Sequence, residues 1–204
     1  MIAIIDYGSG NIQAIKNIYE NLRIDCKFVS RPDQLNGVDK IILPGVGAFD
    51  EAMSQLTKSG LRVVLDSMVL EQKVPVLGVC VGMQIMAASS DEGKRDGLGW
   101  LDAKVKLFDQ KIIDHKPKLP HMGWNDIQPR NEHPIFSSID FEKGYYFLHS
   151  YYFECQDEKD ILATTYYGNS FHCAVNKENI FGFQFHPEKS HSNGMHLFKN
   201  FAEL

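Results

Sequence analysis

A chain of 204 residues, 44% hydrophobic and 23% charged, is long enough to bury a substantial core and has the make-up of a globular domain. A formal net charge of −5 leaves no basic excess to hold a phosphate backbone, which argues against nucleic acid as a partner. Apolar runs such as 74–83 fall well short of the roughly 20 residues of a membrane span, and residues 1–6 lack the basic flank and cleavage site of a signal peptide, so a cytoplasmic location is expected.

Residues 2–5 read as a buried strand that ends at Asp6-Tyr7-Gly8-Ser9-Gly10. A helix follows, with Ile12, Ile15, Ile18, Tyr19 and Leu22 at helical spacing. Strands are predicted at 24–29 and 40–43, the second closed by Pro44-Gly45-Val46-Gly47, and amphipathic stretches at 49–58 and 61–72 lead to a strand over 74–79. Uniformly apolar strands alternating with helices predict an α/β fold, a parallel sheet covered on both faces. The Gly8-Ser9-Gly10 loop tempts a dinucleotide reading, but GxGxxG needs glycine where Gln13 stands; a tight turn explains it better. The second half holds short β-like runs at 101–107, 145–152, 161–166, 171–175 and 180–185, expected to add antiparallel strands to one side of the sheet before a closing helix near 193–202. No repeat or linker divides the chain, so a single domain over 1–204 is expected.

Cys26, Cys80, Cys155 and Cys173 are widely spaced without a CxxC pair, which suggests neither a disulfide framework nor zinc. Cys80 stands apart. Gly78-Val79-Cys80-Val81-Gly82 has the G-x-C-x-G spacing of a nucleophile elbow, in which a sharp strand-to-helix turn strains the central residue and the flanking glycines let backbones pass closely. With a helix predicted over 83–88, Cys80 would sit at a helix N-terminus, where a thiolate is favoured. The plainer alternative, an inert core cysteine, is the default for the other three.

A thiolate needs a base and a group to orient it. Apolar residues at 181, 183 and 185 mark a strand from which His186 emerges; Pro187 ends the strand, and Glu188 can fold back on the imidazole. A surface histidine beside a solvated glutamate is the commoner fate of such a pair, and Cys80 is what raises the catalytic reading above it. His186, His191 and His196 lie five apart and share no helix face, so they suggest no metal site. For an oxyanion, the N–H of Val81 is one candidate donor, and Gly45-Val46-Gly47 could supply a second or be a plain turn.

Pro44-Gly45-Val46-Gly47, Gly78-Val79-Cys80-Val81-Gly82-Met83-Gln84 and His186-Pro187-Glu188, in that order, resemble the class I (triad) glutamine amidotransferases along the whole chain. Asp6-Tyr7-Gly8-Ser9-Gly10-Asn11, Pro120-His121-Met122-Gly123-Trp124-Asn125 and Tyr146-Phe147-Leu148-His149-Ser150-Tyr151 are similar to those glutaminase subunits that feed a cyclase of histidine biosynthesis. The resemblance implies a flavodoxin-like mixed, mainly parallel sheet with helices on both faces. It implies Cys80 as nucleophile, His186 as base and Glu188 as orienting carboxylate, acting through a γ-glutamyl thioester. Beside the candidate oxyanion donors Val81, Val46 and Gly45, it implies a glutamine pocket formed with Gln84, Gly47, Ser150 and Tyr151. The implied partner is a (β/α)8-barrel cyclase subunit in a heterodimer, met by His121, Met122 and Trp124, with no cofactor or metal in this chain. Relatives with the same triad serve sugar amidation in polysaccharide synthesis; a related cysteine hydrolase and a non-catalytic subunit are the other readings.

Overall fold

The computed structural model describes residues 1–114 and 116–204. Four parallel strands form its first half: β1 (Ile2–Ile5), β2 (Cys26–Val29), β3 (Lys40–Gly45) and β4 (Val76–Cys80), in spatial order β2-β1-β3-β4. β1, β4 and nearly all of β3 are buried; with both sheet faces covered there is no solvent side to demand polar residues. Helices α1 (Ile12–Asn21), α2 (Phe49–Lys58) and α3 (Leu61–Asp66, prolonged by a π-helical turn at Ser67–Glu71) supply that cover.

The expected helix over 83–88 is shorter: α4 spans Val81–Gln84 only. The carbonyls of Ile85, Met86, Ala87 and Ala88 are instead taken by the N–H groups of Leu98, Leu101, Gly99 and Gly97. That captured segment leads into β5 (Ser89–Ser90) and β6 (Ala103–Leu107). The dipole argument for a Cys80 thiolate therefore loses its helix.

The predicted run over 145–152 is two strands belonging to two sheets. β7 (His121–Asn125) pairs antiparallel with β9 (Tyr145–His149) as a separate ribbon, while β8 (Gln128–Pro129) and β10 (Tyr151–Cys155) join the main sheet, so not every late strand extends one side of it. β11 (Ile161–Tyr167), β12 (Asn169–Lys177) and β13 (Ile180–Phe183) follow, then α5 (His191–Glu203), which packs on α1 through Tyr19 and Phe198. The main sheet runs β2-β1-β3-β4-β13-β12-β10-β6-β5: β13 is parallel to β4, and β12, β10 and β6 continue antiparallel. Among the described residues no helix is long and apolar enough to cross a membrane.

At the carboxyl end of β4 the backbone of Cys80 adopts φ 55°, ψ −113°, a region L-residues avoid. Two glycines make the crossing possible. A Cβ on Gly78 would meet the Met83 backbone at 2.7 Å, and one on Gly82 would collide with the Leu43 carbonyl. Gly82→Ala is therefore expected to cost about 3 kcal/mol, a Tm fall of roughly 6–12 °C. Gly37→Ala, at φ 72° but in open space, should cost only about 1 kcal/mol; thermal unfolding of both variants checks the contrast.

Candidate active site

β13 runs parallel to β4 with Phe183 opposite Val79, so the residues after each strand leave the sheet side by side at its carboxyl end. His186 is fixed there by its own N–H, which donates to the Tyr146 carbonyl at 2.8 Å. The 3-10 turn Pro187–Lys189 brings Glu188 back, and Glu188 Oε1 lies 2.8 Å from His186 Nδ1. Both side chains are buried, at 3% and 1% exposed, which removes the reading of a solvated surface pair. Nδ1 faces the carboxylate, and the ring borders the same pocket as Cys80. Burial alone would depress the His186 pKa, but the hydrogen bonds and charges of Cys80 and Glu188 outweigh it and raise it above the ordinary histidine value. The geometry is that of a cysteine–histidine–carboxylate relay.

The other thiols sit in quite different surroundings. Burial pushes Cys155 up to about 12 and the fully buried Cys173 higher still; half-buried Cys26 is also raised, by desolvation first and then by Glu20. These groups stay protonated and unreactive at neutral pH.

A pocket of about 270 Å³ opens over Cys80 and His186, room for a ligand of amino-acid size. Gly47, Gln84, Ser150 and Tyr151, the four expected substrate residues, line it together with Val46 and Val81. The expected oxyanion group divides. Val81 follows Cys80 as the first residue of α4, where helical N–H groups lack intrahelical partners. Val46, by contrast, donates its N–H to Ser9 Oγ at 2.9 Å, and the same hydroxyl donates to the Val46 carbonyl at 2.8 Å. The peptide is thus tied to the β1–α1 loop rather than offered to the pocket.

The β7–β9 ribbon borders this pocket through Leu148 and His149 at the end of β9. Its register places Met122 opposite Leu148 and Trp124 opposite Tyr146 on one face, and His121 opposite His149 on the other. Met122 is 60% and Trp124 49% exposed, but His121 only 4%. Of the three expected interface residues, His121 is thus corrected to an interior one, because strand alternation turns it inward from Met122 and Trp124. Its Nδ1 lies 3.0 Å from His149 Nε2, and His149 Nδ1 lies 2.8 Å from the Tyr151 carbonyl. Since that carbonyl can only accept, His149 carries its hydrogen on Nδ1 and receives one from His121 on Nε2. Burial, then the His121 ring, push His149 down to about 3.

Other residues of the site were not anticipated, Glu92 and Pro120 among them. Leu148, His149 and Lys189 line the pocket, and Gln184 Nε2 approaches Cys80 Sγ at 3.8 Å. A signal for Gln184 existed: an amide alternating with Phe183 and Phe185 looks solvent-facing, but a strand buried on both faces has no solvent side.

The match to a family model described as glutamine amidotransferase class-I extends over residues 3–204, and the chain belongs to that family. Among its relatives are the imidazole glycerol phosphate synthase subunits HisH of Leptospira borgpetersenii, 48% identical, and of Bdellovibrio bacteriovorus, 51% identical, each over 204 residues covering all of both chains. The fold is that of solved structures too distant to speak to more than architecture. A glutamine amidotransferase superposes with a TM-score of 0.76 at 19% identity over the whole of both chains. PurLQS from Thermotoga maritima gives 0.68 at 18%, over 99% of this chain and 97% of that one.

The depressed His149 has a consequence for stability. Its folded pKa lies below the unfolded value near 6.5, so unfolding takes up a proton; the contribution is whole above about pH 6.5 and is lost as pH falls toward 3. The unfolding free energy of the parent chain is expected to fall, relative to His149→Gln, by about 2 kcal/mol between pH 7 and pH 5. Urea titrations of both proteins at the two pH values measure it.

Proposed function

We propose that the chain is the glutaminase subunit of an imidazole glycerol phosphate synthase, a single domain over 1–204 that releases ammonia from glutamine for a (β/α)8-barrel cyclase partner. The observation that carries the reading is the strained Cys80 set beside the buried His186–Glu188 pair, at the foot of a pocket of amino-acid size. The subunit and its pathway are supported by the full-length likeness to the HisH proteins. Two liners of opposite charge, Glu92 and Lys189, suit a ligand that is itself a zwitterion.

In this reading Cys80 Sγ attacks the side-chain amide carbon of glutamine while His186 takes the thiol proton. The sulfur–carbon bond forms, and charge gathers on the amide oxygen beside the Val81 N–H. His186 returns the proton to the nitrogen, the carbon–nitrogen bond breaks, and ammonia leaves a γ-glutamyl thioester. Water, deprotonated by His186, attacks that thioester; glutamate departs and Cys80 recovers its proton. Glu188 keeps the imidazole in the tautomer that serves the sulfur and stabilises its cationic form.

The outer face of the β7–β9 ribbon is the surface assigned to the cyclase. Met122, Leu148 and Trp124 are exposed; Trp124 stacks on His191 at 5.2 Å, and Lys189 Nζ lies over the Tyr146 ring. Such an apolar ladder with aromatic anchors has the character of a protein-binding patch. Docking there covers the pocket, so ammonia can pass to the partner without meeting bulk water and becoming protonated.

The test is glutamate release from glutamine, with the chain alone and with a cyclase subunit plus its nucleotide ligand. Cys80→Ala should abolish release while leaving Tm and partner binding intact; undiminished release by that variant would overturn the assignment. Stimulation by the cyclase is expected, and its absence would direct attention to another synthase, such as a sugar amidotransferase.

Basal activity is expected to be low because Val46 is tied to Ser9, leaving the oxyanion a single backbone donor, a deficit typically worth about 10²–10³ in turnover. Ser9→Ala frees the Val46 peptide. Removing a net hydrogen-bond contribution of about 1.4 kcal/mol should raise cyclase-free glutaminase turnover about tenfold and shrink the stimulation by cyclase to match. Steady-state kinetics with and without partner read both quantities.

A further inference from the structure

Gln184 follows the last residue of β13 and, in the register that pairs Phe183 with Val79, stands opposite Cys80. Phe183 and Phe185 stack on one another at 5.1 Å, so alternation sends Gln184 to the other face, the face of Gly182. A Cβ on Gly182 would come within 2.6 Å of Met83 Cγ. The glycine thus lets α4 lie directly on β13 and within reach of the glutamine two residues further on. The Gln184 side chain is fully buried yet partnered at both ends: Oε1 accepts from Gln84 Nε2 at 3.0 Å, and Nε2 lies 3.8 Å from Cys80 Sγ.

The polarity of this chain of amides is set from outside. Gln84 Nε2 also donates to the Tyr151 carbonyl at 3.0 Å. A carbonyl cannot donate, so Gln84 must turn its nitrogen inward; Gln184 must then turn its oxygen to Gln84 and its N–H group to the sulfur. The other lone pair of the Tyr151 carbonyl is met by His149 Nδ1 at 2.8 Å, which leaves no room for a reversed arrangement. With both hydrogens committed, Gln84 presents only its oxygen to the pocket.

We infer that Gln184 is a positioning residue of the glutaminase: it donates an N–H to the sulfur of Cys80 and holds Gln84 with its acceptor toward the ligand. The inference rests on the glutaminase reading above. A one-turn α4 lends the sulfur little helix dipole, and the Leu148 carbonyl, which accepts from the thiol at 3.9 Å, opposes a negative charge there. The Gln184 N–H acts in the other direction. As the thiol loses its proton this contact becomes a hydrogen bond to a charged acceptor and strengthens, so Gln184 lowers the cost of forming the nucleophile.

The test is the pH dependence of Cys80 alkylation by iodoacetamide in the full-length chain, followed by peptide mass spectrometry and paired with glutamine kinetics. Gln184→Met keeps the length of the side chain but removes both polar groups. It should move the alkylation midpoint up by about 1 pH unit and raise KM about tenfold. Gln184→Glu keeps an acceptor for Gln84 but sets a carboxyl beside the sulfur. The added charge moves the midpoint whatever Gln184 does, so KM is the reading here. It should stay near the parent value, and a rise of about tenfold in a folded glutamate variant overturns the holding of Gln84 even if the methionine variant folds poorly. A role in packing alone would lower Tm and leave the methionine variant's midpoint where it is; an unmoved midpoint in that variant, once folded, overturns the inference while leaving Cys80 as nucleophile. Alkylation of the parent chain without preference for Cys80 would overturn the site assignment and this inference together.

Discussion

The site depends on a backbone conformation that cysteine resists. Cys80 at φ 55°, ψ −113° is stable only because β3, β4 and α4 cross at distances that admit no Cβ at Gly78 or Gly82, and because those strands are buried in a core that does not yield. The strain has a purpose. A relaxed strand residue would alternate into one face of the sheet, whereas the elbow lifts the sulfur off its end, above β4 and β13, where His186 and Gln184 also emerge. Parallel pairing matters equally, since it brings the carboxyl ends of two strands far apart in sequence to one edge.

Around the sulfur the protein separates charged and uncharged polar groups. On one side the His186–Glu188 pair is built to hold a positive imidazolium although burial opposes it. On the other, His149 is hydrogen-bonded so that its imidazole stays neutral at any pH near 7. Were both rings cationic they would repel across the pocket; His186 is itself among the groups that depress His149. The two histidines thus divide the work, one carrying a proton through the reaction and the other serving as a fixed dipole in the wall.

The readable parts of the sequence were those ruled by local physics. Uniform apolar strands announced a buried parallel sheet, and glycines flanking Cys80 announced the elbow, because each needs only neighbours in the chain. The failures came from long-range partners. Residues 85–88 have helical character, but the N–H groups of residues 97–101 claim their carbonyls. The run over 145–152 looks continuous, yet its halves pair with different strands, His121–Asn125 and Ala103–Leu107. His121 stands next to the exposed Met122 but faces inward, a choice fixed by its pairing with His149. Gln184 was hidden by the very alternation that identified its strand.

Around Met122 and Leu148 no further layer covers the outer face of the β7–β9 ribbon among the described residues: there the wall between the pocket and the outside is a single strand thick. Leu148 makes the point at the scale of one residue, for its carbonyl touches the Cys80 sulfur at 3.9 Å while the residue is 36% exposed and pairs with the exposed Met122. A partition so thin insulates poorly. Whatever presses on the outer face moves the same peptide planes that border the nucleophile, so recognition and chemistry share one piece of backbone and are not free to vary separately.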